Sequence, residues 1–190
     1  MALLNYVPAL SLGPLSFNAK LSTRPTSVYQ GEMFSTPAIA ATLWAVILGG
    51  VGGVLTEIGP WYRALKKPSF QPPDWAFGPA WTLILGLAAW SGYMAYTAAT
   101  TDAERTSVMI LFAVNFVAHF AWSPLFFKYK RPDLALIEVV FLWMSCLMLC
   151  IFLRPISVTA SWLVAPYLAW VSFAACINAA VVKLNPRNQS

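Results

Sequence analysis

Five stretches of this 190-residue chain hold almost no charged residue. Each reaches the roughly 20 residues that a helix needs to cross the hydrocarbon core of a bilayer. Inside lipid, every backbone amide must be paired within its own helix or within a closed barrel, and these stretches lack the alternation of barrel strands. We therefore predict five transmembrane helices. They cover residues 36–56, 75–101, 106–127, 134–153 and 155–182.

The composition agrees with a membrane environment. Apolar residues make up 59% of the sequence and charged residues 10%, and the chain holds nine tryptophans. A soluble domain of this size cannot hide so much apolar surface from water. The predicted fold class is an all-α membrane protein, a bundle of five transmembrane helices. The small basic excess lies in the connections, so no nucleic-acid partner is expected.

The basic residues of the connections predict the topology. Eight lie in the first and third connections and the C-terminal tail, and four lie in the N-terminal segment and the other two connections. Because cytoplasmic loops carry an excess of Lys and Arg, this bias predicts a cytosolic C-terminus. The first connection, 61–75, is predicted as a structured loop at the headgroup level, because its three prolines cannot continue a helix.

The N-terminal part of the chain differs from the rest. Residues 1–30 are rich in Ser, Thr and Pro and hold Lys20 and Arg24 but no acidic residue. Such a composition is typical of an organelle-targeting segment or of a disordered extension. We therefore divide the chain into an N-terminal extension, 1–33, and a membrane domain, 34–190. An organelle membrane, mitochondrial or other, is expected.

Glycines are concentrated in the second half of the first span. Gly49 and Gly53 have the small-xxx-small spacing that lets two helix backbones touch. Close packing is expected there, either within the subunit or across a dimer.

Polar and aromatic residues share one side of the third span. Asn115, His119, Trp122 and Phe126 follow a spacing of three and four, which places them on one helical stripe. Polar groups on such a stripe face the bundle interior. They either form interhelical hydrogen bonds or line a cavity, and a third reading for His119 is axial ligation of a haem iron.

The fifth span carries a comparable stripe. Tyr167, Trp170, Ala174 and Asn178 lie on one face, just after Pro166, which is expected to bend the helix. A bulky ring beside a small residue forms a shelf, although aromatic stripes also occur in ordinary packing.

The second span repeats the pattern of a large ring followed by smaller side chains, with Trp81, Leu85, Ala88 and Gly92. Three such stripes could enclose a slot. A mostly apolar, partly aromatic cavity with a few polar anchors suits a planar hydrophobic ligand.

The remaining candidates suggest no reaction. Glu138, inside the fourth span, is interpreted as reaching the membrane surface near Lys128, Lys130 and Arg131. The three cysteines lie within spans, where they behave as small apolar groups. No nucleophile arrangement, phosphate loop or carboxylate dyad is visible. We predict no catalytic residue, no metal site and no required cofactor.

Three sequence motifs resemble those of the translocator protein (TspO/MBR) family, also called tryptophan-rich sensory proteins or peripheral benzodiazepine receptors. The resemblance covers about residues 40–183. Its marks are WYRALKKPSFQPPDWAFGPAW at 61–81, AWSPLFF at 121–127 and PYLAWVSFAACIN at 166–178.

This resemblance implies a dimeric bundle of five transmembrane helices with a pocket that opens toward the first connection. It also implies binding of porphyrins such as protoporphyrin, of haem and of sterols, and in some bacterial members light-dependent porphyrin breakdown. By motif position, the pocket tryptophans are Trp81 and Trp170, and Trp122, Phe173 and Ala174 match further pocket positions.

The chain departs from the family pattern in two places. The family usually has asparagine at the position of His119 and often glutamine at that of Asn115, so the polarity of the pocket differs here. The sterol-recognition pattern of animal members needs an aromatic residue where this chain has Ala179 and Ala180 before Lys183. Three functions stay open: a tetrapyrrole receptor or carrier, a light-driven porphyrin-degrading catalyst, and a ligand-independent scaffold.

Overall fold

The computed structural model describes residues 35–186, and every regular element in that range is helical. A 3-10 turn, Asp74–Ala76, precedes the third helix, and a π-helical turn, Pro124–Lys128, extends the fourth. The predicted extension, 1–33, lies outside the described residues. The six α-helices of the described range are α1 Thr36–Leu55, α2 Pro60–Ala64, α3 Phe77–Ala98, α4 Asp102–Ser123, α5 Pro132–Leu153 and α6 Val158–Leu184.

Among residues 35–186, four helices are long and apolar enough to cross a membrane: α1, α4 with its π-helical turn, α5 and α6. The fifth long helix, α3, has 22 residues, but its Trp, Tyr, Gly, Ser and Thr residues lower its mean hydropathy below that of the other four. The predicted all-helical class is confirmed, and helix length and hydropathy among residues 35–186 support four of the five predicted membrane spans.

Two helices begin where capping residues dictate rather than where the apolar run begins. The side-chain oxygen of Thr101 accepts a hydrogen bond from the Glu104 amide at 3.2 Å, and the Glu104 carboxylate accepts one from the Thr101 amide at 3.1 Å. This capping box starts α4 at Asp102, not at the predicted 106. Ser157 likewise caps α6, which begins at Val158 rather than at 155.

The five long helices form a closed ring. In order around the bundle they are α1, α3, α6, α5 and α4, and α4 in turn contacts α1. Polar side chains join neighbouring helices at backbone carbonyls, which matters because lipid offers no alternative partner. Ser91 donates to the Ala160 carbonyl at 2.7 Å, and Ser161 donates to the Cys150 carbonyl at 2.6 Å. The indole nitrogen of Trp44 donates to the Phe112 carbonyl at 3.2 Å.

The two ends of the bundle differ in packing. The end near the α3–α4 and α5–α6 connections is filled by small and branched side chains, and Ala95, Leu149, Leu153, Ala160 and Val164 are buried there. The opposite end, beside the α1–α3 connection, contains a cavity.

The π-helical turn closes α4 at the cavity end. Pro124 has no amide hydrogen and its ring crowds the preceding turn, so the regular hydrogen-bond pattern cannot continue past it. The Tyr129 amide instead donates to the Pro124 carbonyl at 2.9 Å, five residues back. This wider turn buries Phe126 and Phe127. The sequence predicted the length of the helix here but not the change of helix type.

Candidate ligand-binding cavity

A cavity of about 470 Å³ lies between the five long helices at the end of the bundle that holds the α1–α3 connection. Three tryptophans from three different helices line it: Trp81 of α3, Trp122 of α4 and Trp170 of α6. The volume falls in the range of about 300–1,000 Å³ that is typical of small-molecule sites.

The rings in the cavity wall contact one another mostly edge to face. The Trp81 ring lies 4.9 Å from that of His119 and 6.1 Å from those of Tyr167 and Trp170. On α4, Trp122 stacks on Phe126 at 5.0 Å. Such contacts add to the stability gained from burial alone. The wall is therefore a connected aromatic surface.

Helix α1 contributes glycines to the cavity wall. Gly49, Gly52 and Gly53 line it, and a Cβ atom added at Gly52 or Gly53 would meet no atom within 4 Å. Within the subunit, the expected close packing is therefore limited to Gly49, where an added Cβ would lie 3.7 Å from Leu85. The other two glycines widen the cavity instead of drawing two helices together.

The mouth of the cavity is polar and is formed by the α1–α3 connection. The Tyr62 hydroxyl donates to the Asp74 carboxylate at 3.0 Å and accepts from the Gln71 amide at 3.1 Å. Burial, together with the hydrogen bond and charge of Asp74, raises the pKa of Tyr62 to about 12. The ammonium of Lys67 lies 3.8 Å from the centre of the Tyr62 ring, a cation–π contact. All four side chains line the cavity.

A pair of hydrogen bonds fixes this connection to the end of α6. The Asn185 side chain accepts from the Lys66 backbone amide at 2.9 Å and donates to the Lys66 carbonyl at 2.9 Å. Because both bonds go to one peptide segment, Asn185 fixes the position of the loop without depending on the Lys66 side chain. The short helix α2 and the 3-10 turn lie within this loop.

A chain of hydrogen bonds runs from the cavity wall into the bundle. Nδ1 of His119 lies 2.6 Å from the Tyr167 hydroxyl, which donates to Oδ1 of Asn115 at 3.2 Å. Nδ2 of Asn115 donates to Ser145 at 2.8 Å, and Ser145 donates to the Leu142 carbonyl at 2.7 Å. The chain joins α4, α5 and α6. Asn115 and His119 therefore form interhelical hydrogen bonds, which is one of the alternatives that the sequence predicts for them.

Several polar atoms beside the cavity have no partner in the described part of the chain. They are both side-chain atoms of Asn178 and the indole nitrogens of Trp122 and Trp170, all sealed from water. An unpaired buried polar group costs about 1–3 kcal/mol. Residues that line a cavity and carry such atoms can form hydrogen bonds with a ligand.

The structure separates the predicted site residues into two groups. Asn115 and Tyr167 are fully buried and do not line the cavity, and their polar groups bond each other. Phe173 does not line the cavity but packs on Trp170 at 5.8 Å between ring centres. Direct ligand contact by any of the nine predicted site residues stays a prediction. The predicted residues that line the cavity are Trp81, His119, Trp122, Trp170, Ala174 and Asn178.

The interpretation of Glu138 is wrong. Both carboxyl oxygens are sealed from solvent and have no hydrogen-bond partner among residues 35–186. The side chain therefore does not reach the basic connection, where Arg131 instead pairs with Asp133 at 2.7 Å.

Sequence reasoning missed the contribution of the first helix and of the loop. The loop residues Tyr62, Lys67, Gln71 and Asp74 follow no helical period, so helical spacing does not predict that they line the cavity. The glycine spacing of α1 predicts close packing, whereas Gly52 and Gly53 instead line the cavity.

Residues 39–184 match the TspO/MBR family. The chain is 33% identical to the tryptophan-rich protein TspO of Chlorobaculum tepidum, over 66% of this chain and 80% of that protein. It is 38% identical to a translocator protein homolog of Schizosaccharomyces pombe, over 65% and 77% of the two chains. It is 31% identical to the translocator protein of Sus scrofa, over 78% and 90%.

Proposed function

Because the chain belongs to the TspO/MBR family of membrane proteins, we propose that it is a membrane receptor or carrier that binds a porphyrin, such as protoporphyrin or haem. One observation carries this proposal: tryptophans from α3, α4 and α6 line a single cavity of about 470 Å³. Large, rigid rings around a slot favour a flat ligand, because they offer wide contact faces.

The polarity of the cavity supports an amphipathic ligand. Its depth is mostly aromatic and aliphatic, whereas its mouth carries Lys67, Gln71 and the Tyr62–Asp74 pair. A tetrapyrrole has an apolar macrocycle and carboxylate side chains at one edge. We propose that the macrocycle lies against the tryptophans and that the carboxylates face Lys67, whose charge favours them.

The proposed topology has all five long helices crossing the membrane, including α3, and a cytosolic C-terminus. The bonds between Asn185 at the end of α6 and Lys66 in the first connection support five spans, since an odd number of spans puts these two segments on one face. The cytosolic side rests on the excess of Lys and Arg in the connections on that face. The mouth of the cavity then faces the cytosol. Homodimerisation, the organelle membrane and sterol binding stay predictions.

The proposal is tested by titrating the purified protein with protoporphyrin and following tryptophan fluorescence. Trp81→Ala and Trp170→Ala should each weaken binding at least tenfold. The same two helices offer matched controls: Trp90 of α3 and Trp162 of α6 are 57% and 67% exposed on the outer surface. Trp90→Ala and Trp162→Ala should leave the affinity unchanged.

Equal affinities in all four variants would overturn the cavity assignment. A sterol titration of the same proteins separates the ligand classes, because a sterol lacks the carboxylates that we place at Lys67. If a sterol binds in a Trp81-dependent way and protoporphyrin does not bind, the cavity is a ligand site but the porphyrin proposal fails.

The aromatic cluster favours a second candidate function, light-driven degradation of the bound porphyrin. Trp81 lies 6.1 Å from both Tyr167 and Trp170, measured between ring centres, and such rings can pass an electron to a photoexcited ligand. The absorption band of bound protoporphyrin under light and oxygen should then decay faster with wild type than with Trp81→Phe. Equal decay rates would leave only the receptor or carrier function.

A further inference from the structure

The hydrogen-bond chain behind the cavity wall determines which nitrogen of His119 carries the proton. Ser145 has one hydroxyl proton and donates it to the Leu142 carbonyl at 2.7 Å. Ser145 must therefore accept from the Asn115 side chain, 2.8 Å away, so the atom there is the amide nitrogen. The oxygen of the Asn115 side chain then points to Tyr167.

The same reasoning extends to the imidazole. The Asn115 oxygen only accepts, so the single hydroxyl proton of Tyr167 is donated to it, at 3.2 Å. Nδ1 of His119, 2.6 Å from the same hydroxyl, must then supply the proton for that contact. The opposite tautomer would leave the buried Asn115 oxygen without a donor, which costs free energy.

One nitrogen of His119 is consequently left with an unused lone pair. Nε2 bears no proton in this tautomer and has no hydrogen-bond partner among the described residues. The ring lies in the wall of the cavity, 4.9 Å from the ring of Trp81 between centres. Histidines that bind metals usually donate their other N–H to a fixed acceptor, as His119 does to Tyr167.

We propose that His119 is an axial ligand, so that the cavity prefers a metalloporphyrin with an open coordination position to the metal-free porphyrin. The bond forms by donation of the Nε2 lone pair to the metal, and no proton has to leave. Tyr167 acts as a positioning residue that holds the ring and its tautomer. This inference rests on the proposed function, since it names the porphyrin class that the cavity selects.

The test compares zinc protoporphyrin with free-base protoporphyrin in the full-length protein. Zinc is redox-inert, and an axial nitrogen shifts the Soret band of its porphyrin to longer wavelength. Wild type should show this shift, whereas His119→Asn should lose it and bind the zinc compound at least tenfold more weakly. The loss of affinity for free-base protoporphyrin should be much smaller, because that porphyrin offers no metal for Nε2, and retained binding also shows that the variant is folded.

Two further variants separate ligation from a structural role. His119→Ala should regain the Soret shift when imidazole is added. Tyr167→Phe keeps His119 but removes the hydroxyl that fixes its tautomer. The affinity for the zinc compound should therefore fall roughly tenfold, while the affinity for the free base is retained.

The outcomes distinguish the two proposals. If free-base protoporphyrin does not bind wild type, the proposed function fails. If the free base binds wild type and the zinc compound shows no Soret shift there, axial ligation is overturned while the porphyrin site stands. A shift that persists in His119→Asn also overturns it.

Discussion

Nδ1 of His119 lies 2.6 Å from the hydroxyl of Tyr167, and this contact connects the cavity wall on α4 to the buried core of α6. Tyr167 is fully buried, so its hydroxyl has no access to water. The pair therefore contributes both to the stability of the bundle and to the orientation of a side chain in the candidate site.

Removing the Tyr167 hydroxyl should lower stability. Tyr167→Phe leaves the Asn115 oxygen and His119 Nδ1 without their partner, and we expect a loss of about 1 kcal/mol, since interhelical hydrogen bonds in membranes average less than that and unpaired buried groups cost more. Thermal unfolding in detergent measures the loss. Tyr93→Phe on α3 is the control, because no hydrogen bond joins the Tyr93 hydroxyl to the described residues. Equal melting temperatures for the two variants would contradict the assigned network.

Filling the glycine wall of α1 should block the cavity. Gly50 and Gly52 each have open space where a Cβ would lie, but only Gly52 lines the cavity. Gly52→Leu should therefore weaken protoporphyrin binding at least tenfold, whereas Gly50→Leu should not. Both should be at least as helical as wild type, because leucine is the better helix former. Equal binding by the two variants would show that the cavity is not the site.

Loss of the Asn185 side chain should free the first connection. In Asn185→Ala, the amide and carbonyl of Lys66 lose their partners, so hydrogen exchange at the Lys66 amide should speed up by an order of magnitude or more. In Asn185→Asp, the acceptor for this amide remains, and exchange should rise less. An unchanged exchange rate in the alanine variant would mean that other contacts hold the loop.

The mouth of the cavity should respond to alkaline pH. The pKa of Tyr62 is raised to about 12 by burial and by Asp74, so the folded state favours the neutral phenol. The contribution of Tyr62 to the free energy of unfolding is complete below its ordinary pKa of about 10 and is lost as the pH rises through 12. The difference in phenolate absorbance between wild type and Tyr62→Phe should titrate near 12, and Asp74→Asn should move the midpoint down. A midpoint near 10 in wild type would contradict the contact between the half-buried Tyr62 and Asp74.

Helical periodicity accounts for what the sequence could predict. A spacing of three and four correctly assigned Trp81, Trp122 and Trp170 to inward faces, because side chains on one stripe share a direction whatever the helix packs against. It could not show that Tyr167 lies behind the cavity wall while His119 lies in the wall. That difference depends on how deep each side chain sits in the bundle and on its hydrogen-bond partner. Nor could it find Lys67 or Asp74, whose positions depend on loop geometry, or the π-helical turn after Pro124.

The failed interpretation of Glu138 has a similar cause. Sequence distance from Arg131 suggested that the carboxylate could reach the basic connection. Helix α5 instead directs it inward, where no described residue pairs with it, and Arg131 bonds to the much closer Asp133 at 2.7 Å.

A structure of the protein with protoporphyrin bound tests the central claim most directly. The account predicts a macrocycle inside the bundle, with ring atoms within about 4 Å of Trp81, Trp122 and Trp170 together. A macrocycle that lies instead on the outer surface, against Trp90 or Trp162, with those three tryptophans untouched, would contradict it.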